Sequence, residues 1–423
     1  MHQDVQNSRK IIVTSLLASL FLGACTTGTT ELSPMERAEA IHAEAIFLDA
    51  HADIVTPSIA PNFLDANGLS KTHPDKLIAG GVDVVVMSLA VSPGPRTPEG
   101  DSAGRAEVDE KLAAILQLIS ENQDNLILAR SVEEIEQAHR REQRAIVLSF
   151  QNARSLEGDI DNIDTLYDAG VRVFGLNHLG HNAFSDSSRP LYIGETKSYE
   201  IAEEHGGLSD LGRQAVARIN SLGGVMDVSQ SSTAATLEII ALSKAPIIAS
   251  HSNVKTISNV TRNLSDEEID RIGQTGGVIH IAPFGAYLVN FSDPETLAEM
   301  ERVRLDAGLP AAYSYPYELY WELPNDTEKY AFLRAMRDVI GAGSVADLLD
   351  HIDYIVDRIG VDHVGIGTDF NHGSGIEGYM DASDSFNVTL GLIKRGYSAD
   401  EIKKIWGGNF LRVLKRAERS ADK

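Results

Sequence analysis

From residue 45 onward the chain alternates two patterns. Short runs of apolar and β-branched residues recur: "AIFLDAHAD" (45–53), "VDVVVMSLAV" (82–91), "AIVLSFQNA" (145–153), "VRVFGLNH" (171–178), "GVMDVSQ" (224–230), "APIIASHS" (245–252), "GGVIHIAP" (276–283) and "HVGIGTDF" (363–370). Between them lie stretches with apolar positions three or four apart, such as "AEVDEKLAAILQLISEN" and "LSDLGRQAVARINSLG". In the second, Ser209 is placed as an N-cap and Gly223 as a stop. Strand–helix alternation predicts a parallel sheet, and runs apolar on both faces predict helices all round it. Eight such runs predict an α/β fold of the (β/α)8 TIM-like barrel type.

In such a barrel the chemistry sits at the C-terminal ends of the strands. Nearly every run here ends on polar residues: His51 and Asp53, Gln151, His178, Gln230, His251 and Asp369. The fold would gather them at one rim. His51 and Asp53, two apart on a strand, point the same way and could share one divalent cation. With His251 and Asp369 they offer ligands from three strand ends, which points to metal-dependent hydrolysis. Residues 284–345 do not fit the alternation and read as an insertion after the seventh strand, on the active-site side. This segment carries Trp321 with Tyr313, Tyr315, Tyr317 and Tyr320, and would serve as a lid or as the subunit contact of a homodimer.

The N-terminus has a separate logic. Arg9 and Lys10 precede "IIVTSLLASLFLGAC", an apolar run short for a membrane span, ending in Leu22-Gly23-Ala24-Cys25. This resembles a bacterial lipobox, with residues 1–24 a signal peptide, Cys25 the lipidated residue and 25–40 a tether. The expectation is a periplasm-facing envelope protein anchored in a membrane by lipid, the outer membrane preferred because Thr26 replaces the aspartate associated with inner-membrane retention. Residues 41–423 would form one hydrolase domain. Cys25 is the only cysteine, so no disulfide can form within the chain. A formal charge of −24 argues against nucleic acid and anionic lipid surfaces as ligands.

Several long segments resemble the membrane dipeptidase (renal dipeptidase) family of the amidohydrolase superfamily: "LDAHAD", "LYDAGVRVFGLNH", "GLSDLGRQAVARINSLGGVMDVSQ", "PIIASHSNVKTISNVTRNLSDEEI", "DHIDYIVDRIGVDHVGIGTDF" and "GGNFLRVL", in that order. The resemblance implies a zinc-dependent barrel hydrolase of dipeptides. It implies that His51 and Asp53 are first-strand metal ligands, that His251 is a ligand of a second metal, and that Asp369 is a ligand that also handles protons. His178 would stabilise the tetrahedral intermediate, and Arg262 would grip the substrate carboxylate.

Two positions depart from the family. Gln151 stands where a glutamate normally bridges two zinc ions, and Gln230 where a histidine normally binds one; Asn371 is a smaller departure from an aspartate. A neutral amide cannot supply the bridging charge, and losing an imidazole weakens the second site further. One tightly held zinc is therefore expected, on His51, Asp53 and Asp369, with the second doubtful. Two other readings stay open: a non-catalytic envelope lipoprotein that binds small peptides, and a hydrolase shifted to a substrate such as a lactone. His181, His205, His280 and His372 are expected to be surface or packed imidazoles.

Overall fold

The computed structural model describes residues 32–56 and 63–422. The signal peptide and Cys25 lie outside the described residues. A compact unit runs from Pro34 to Lys423. It opens with a helix, Pro34–Glu44, that buries Ala38, Ile41 and His42. Folded structure thus begins inside the segment expected to be tether, because Ala38 and Ile41 have an apolar face to bury.

Eight parallel strands form the barrel: β1 (Leu48–Asp53), β2 (Val84–Ala90), β3 (Arg144–Gln151), β4 (Val171–Gly175), β5 (Val225–Asp227), β6 (Ile248–Ala249), β7 (Val278–Ile281) and β8 (Val364–Ile366), hydrogen-bonded in that order. β8 returns to β1: Asp369 N donates to His51 O (2.8 Å) and Asp53 N to Phe370 O (2.9 Å). A three-residue strand, Leu126–Leu128, adds to the flank of β3. It is too short to show a period in the sequence.

Alternation sorts the strands' two faces. Leu48, Ala50, Val84, Val86, Ala145, Val147, Val173 and Val278 fill the barrel interior with Phe410, Val413 and Leu414 of the helix Asn409–Ser420. Val85, Met87, Ile146, Leu148 and Ile279 face the surrounding helices. The helix Asp210–Leu222 has the expected caps: Ser209 accepts from Gly212 N, and Gly223 ends it at φ +79°. Only a glycine adopts that conformation without strain.

The insertion after β7 folds into helices Gly285–Leu288, Pro294–Asp306 and Asp326–Ile340 around its own core, which includes Tyr287, Met300, Tyr315, Phe332 and Met336. Arg304 organises it from inside, donating to the carbonyls of Pro310, Pro316 and Glu318.

Candidate metal centre and pocket

Strict alternation from Leu48 and Ala50 would turn His51 toward the helices. A register irregularity between Asp49 and Ala52 prevents this. Ala52 packs on the helix side, while His51 and Asp53 face the rim. The shift costs one regular pairing and delivers two functional side chains.

His51, His251 and Asp369 come together there, each offering one ligand atom, all within 4.8 Å of one another and all buried. The imidazoles of His51 and His251 stack at 3.9 Å between centroids, and His51 Nε2 lies 3.9 Å from Asp369 Oδ1. Asp369 adopts φ +55° and Gln230 φ +67°. Left-handed backbone at non-glycine residues is strained, and here it sits at the strand ends that aim side chains into the site.

One hydroxyl orients both imidazoles. Ser250 Oγ lies 2.6 Å from Asp227 Oδ2, 2.8 Å from His251 Nδ1 and 3.4 Å from His51 Nδ1. A carboxylate can only accept, so the hydroxyl proton goes to Asp227 and its lone pairs are left for the two Nδ1–H groups. Both rings then present an unprotonated Nε2. Asp227 is itself fixed through Oδ1, which accepts from Ser229 N and Ser250 N at 2.9 Å.

Asp53 departs from the expected trio. Its Oδ2 is 2.6 Å from His372 Nδ1, while its Oδ1 is buried without a partner. Burial acts to raise its pKa, but the charges of Lys111 and His372 outweigh that and hold the carboxyl well below the usual range. The tight cluster therefore contains His251 where Asp53 was expected. His372 is no bystander: it stands edge-on to His178 at 5.5 Å. His181, His205 and His280 do have structural partners, the carbonyls of Ile201, Asn182 and Ala249.

The amides behave differently from ligands. Gln151 Nε2 is buried with no partner. Gln230 Nε2 lies 3.3 Å from His251 Nε2, and its Oε1 has no partner. The donor set thus fits one cation, held by His51, His251 and Asp369. A second cation would rest on two neutral amides and a shared imidazole, a weaker donor set. Asn371 clamps the fold instead, donating to Asp53 O and Thr72 Oγ1 at φ +65°.

Above this centre opens a pocket of about 530 Å3, lined by His178, Arg189, Tyr287, Tyr315, Trp321 and His372 among others. Burial, reinforced by the charges of His372 and Arg189, holds His178 neutral, and its Nδ1 makes no hydrogen bond. Arg262 is buried over the Tyr287 ring at 4.3 Å; its Nη1 donates to His251 O (2.9 Å), and its Nε and Nη2 are unpartnered. Arg189, Lys111, Asp227 and Ser250 are site residues that strand-end reasoning missed. Asp227 and Ser250 lie inside recognised runs, whereas Arg189 and Lys111 come from a loop and a helix with no pattern to mark them.

Comparison with known proteins finds relatives over nearly the whole chain. Residues 35–423 match the family model for membrane dipeptidase (peptidase family M19). The dipeptidase verJ of Clonostachys rogersoniana is 27% identical over 364 residues, 84% of this chain and 78% of that protein. The crystal structure of the probable dipeptidase PvdM from Pseudomonas aeruginosa superposes with a TM-score of 0.79 at 32% identity, covering 92% of this chain and 99% of the other. A metallopeptidase from Rhodobacter sphaeroides, crystallised with a phosphinate mimic of the dipeptide L-Ala-D-Ala, shares the fold: TM-score 0.67, 18% identity, 88% and 100% coverage.

Proposed function

The chain belongs to the membrane dipeptidase family, peptidase family M19, and from that premise we propose that it hydrolyses dipeptides or related small amides with one bound zinc. The observation that carries this reading is the convergence of His51, His251 and Asp369 beneath a pocket sized for a small molecule. The chemistry such a metal supplies is Lewis acidity, which polarises the scissile carbonyl and acidifies water.

The chain's own groups do the rest. Asp369, its pKa raised by burial, takes the proton of the attacking water and passes it to the leaving amine. Neutral His178 donates a hydrogen bond to the developing oxyanion, a contribution worth about 3 kcal/mol when one such donor is removed. Arg262 offers Nε and Nη2, both without partners, to the substrate's terminal carboxylate as a parallel pair of hydrogen bonds. Tyr287, Tyr315 and Trp321 line the pocket with aromatic surface.

The test is metal analysis of the purified protein beside a dipeptide screen. One equivalent of zinc, with turnover lost on chelation and lowered about 100-fold by His178→Ala, supports the proposal. A zinc-loaded protein that turns over no amide overturns it. The engagement of Asp53 by His372 and the seat of Gln230 against His251 favour a second reading, a peptide-binding relative without catalysis. Peptide binding with no hydrolysis of any amide or lactone would establish that one.

We further propose that Cys25 anchors the protein to the bacterial envelope, facing the periplasm. No helix among the described residues is long and apolar enough to cross a membrane, and the proposal is carried by Leu22-Gly23-Ala24-Cys25. Labelled palmitate should enter the wild type and not Cys25→Ser.

A further inference from the structure

The net charge of the chain is −24, yet the pocket above the metal centre is lined by two arginines and two histidines: Arg189, Arg337, His178 and His372. Among the described lining residues there is no carboxylate. In so acidic a protein, a basic lining is a property of the pocket and not of the surface around it.

Arg189 is the informative member. It is only 6% exposed, its guanidinium lies 4.2 Å over the Tyr315 ring, and its Nε makes no hydrogen bond. A buried guanidinium normally faces a carboxylate. The acidic side chain whose charge reaches it, Glu318, is already engaged by Ser314 N, Ser314 Oγ and Tyr199 Oη. Tyr287 carries Arg262 at 4.3 Å, and the Tyr287 and Tyr315 rings are 5.9 Å apart. Two guanidiniums, each with an unused buried donor, thus rest on neighbouring tyrosine rings. One terminal carboxylate needs one of them.

We infer that Arg189 forms a second anion subsite, and that the preferred substrates are small peptide amides carrying a second carboxylate, as in dipeptides with a C-terminal aspartate or glutamate. This rests on the hydrolase reading for its turnover test, but not for its binding test. The guanidinium also hydrogen-bonds Tyr315, which leaves Nε as its buried donor without a partner, and a charge-assisted hydrogen bond to a ligand carboxylate would satisfy it.

The experiment compares Ala-Glu and Ala-Asp with Ala-Ala, each with an L- or D-residue at the C-terminus. It uses wild type, Arg189→Gln and Arg189→Lys, with circular dichroism and thermal melting to verify folding. Wild type is expected to favour the acidic peptides by at least about 10-fold in kcat/KM, mainly through KM. Arg189→Gln should erase that preference and Arg189→Lys should retain part of it. Calorimetric titration of the same peptides into metal-depleted protein reads the subsite without catalysis. If no peptide is hydrolysed, the hydrolase reading fails, while a binding preference for Ala-Glu that Arg189→Gln removes still upholds the subsite. Equal affinity for acidic and neutral peptides in wild type overturns it. So does a preference that survives in Arg189→Gln, and so does a uniform loss for all peptides in a folded variant, which would make Arg189 a structural prop for Tyr315.

Discussion

Asp227→Asn tests the tautomer relay that prepares the metal centre. Oδ1 of Asp227 accepts from two backbone N–H groups, so the amide oxygen of an asparagine must take that place. Its NH2 then faces Ser250 Oγ, now 2.6 Å from Oδ2, and donates to it. The hydroxyl must turn its own proton toward an imidazole Nδ1, His251 being nearest at 2.8 Å. That ring is driven to carry its proton on Nε2, the atom a metal requires free. Hydrogen bonds are conserved in number but reversed in sense. Orienting partners of this kind are worth 10- to 100-fold in metal affinity, about 1.4–2.7 kcal/mol. Ser250→Ala should cost a similar affinity and, in addition, about 1.5–3 kcal/mol of stability, since it strips a hydrogen bond from a buried carboxylate. The assay is competition for zinc against a chelator of known strength, alongside urea unfolding of the metal-free proteins. A folded Asp227→Asn protein whose zinc affinity lies within about threefold of wild type would refute the relay.

Three further outcomes are expected. The double variant Gln151→Glu/Gln230→His should bind two zinc ions where wild type binds one, measured by elemental analysis after dialysis; two equivalents in wild type would show that the amides suffice as ligands. Asp369→Asn should abolish dipeptide turnover, and an undiminished rate would remove Asp369 from proton transfer. His42, stacked between Phe47 and Phe386 at 3.6 and 4.1 Å, has its pKa lowered to about 3 by burial. The unfolded chain therefore binds a proton near pH 6.5 that the folded protein refuses, so the stability His42 permits is present above that value and is lost as pH falls toward 3. Between pH 7 and pH 5 the loss is about 2 kcal/mol, and His42→Gln should flatten it; identical pH slopes in urea denaturation would contradict the assignment.

The barrel and most of its rim were legible because strand periodicity and strand ends are local properties. The burial of "VVVMSLA" on every residue is visible in its composition, and topology alone then sends His51, His251 and Asp369 to one place. What stayed hidden depends on contacts between segments. Alternation puts His51 and Asp53 on one face, but which face is decided by the irregularity after Asp49, and that has no signature in "LDAHAD". His372 looked incidental beside Asp369, and only the closing of β8 on β1 sets it 2.6 Å from Asp53. Arg189 lies on a loop whose path no period describes.

These hidden residues explain why the two glutamines can be tolerated. Replacing a bridging carboxylate and an imidazole by amides removes a negative charge and a nitrogen donor, so a second dication would meet too little compensation. Asp53, left over from the arrangement that the family resemblance implies, would be a buried unpaired carboxylate in such a site. Lys111 and His372 meet that charge instead. Lys111 extends from the helix Pro98–Glu121 to donate to Ala90 O, a carbonyl of the strand beside Gln151. The negative charge that remains for a metal is chiefly that of Asp369, beside two stacked imidazoles whose free nitrogens Ser250 selects. On the proposed one-zinc reading, a carboxylate added at position 151 without an imidazole at position 230 should unbalance the rim. A Gln151→Glu protein is expected to lose stability when metal-free and to regain it with zinc, whereas the double variant should gain more from zinc than wild type does. Equal zinc-induced shifts in melting temperature across the three proteins would mean that charge compensation does not govern how many ions the rim accepts.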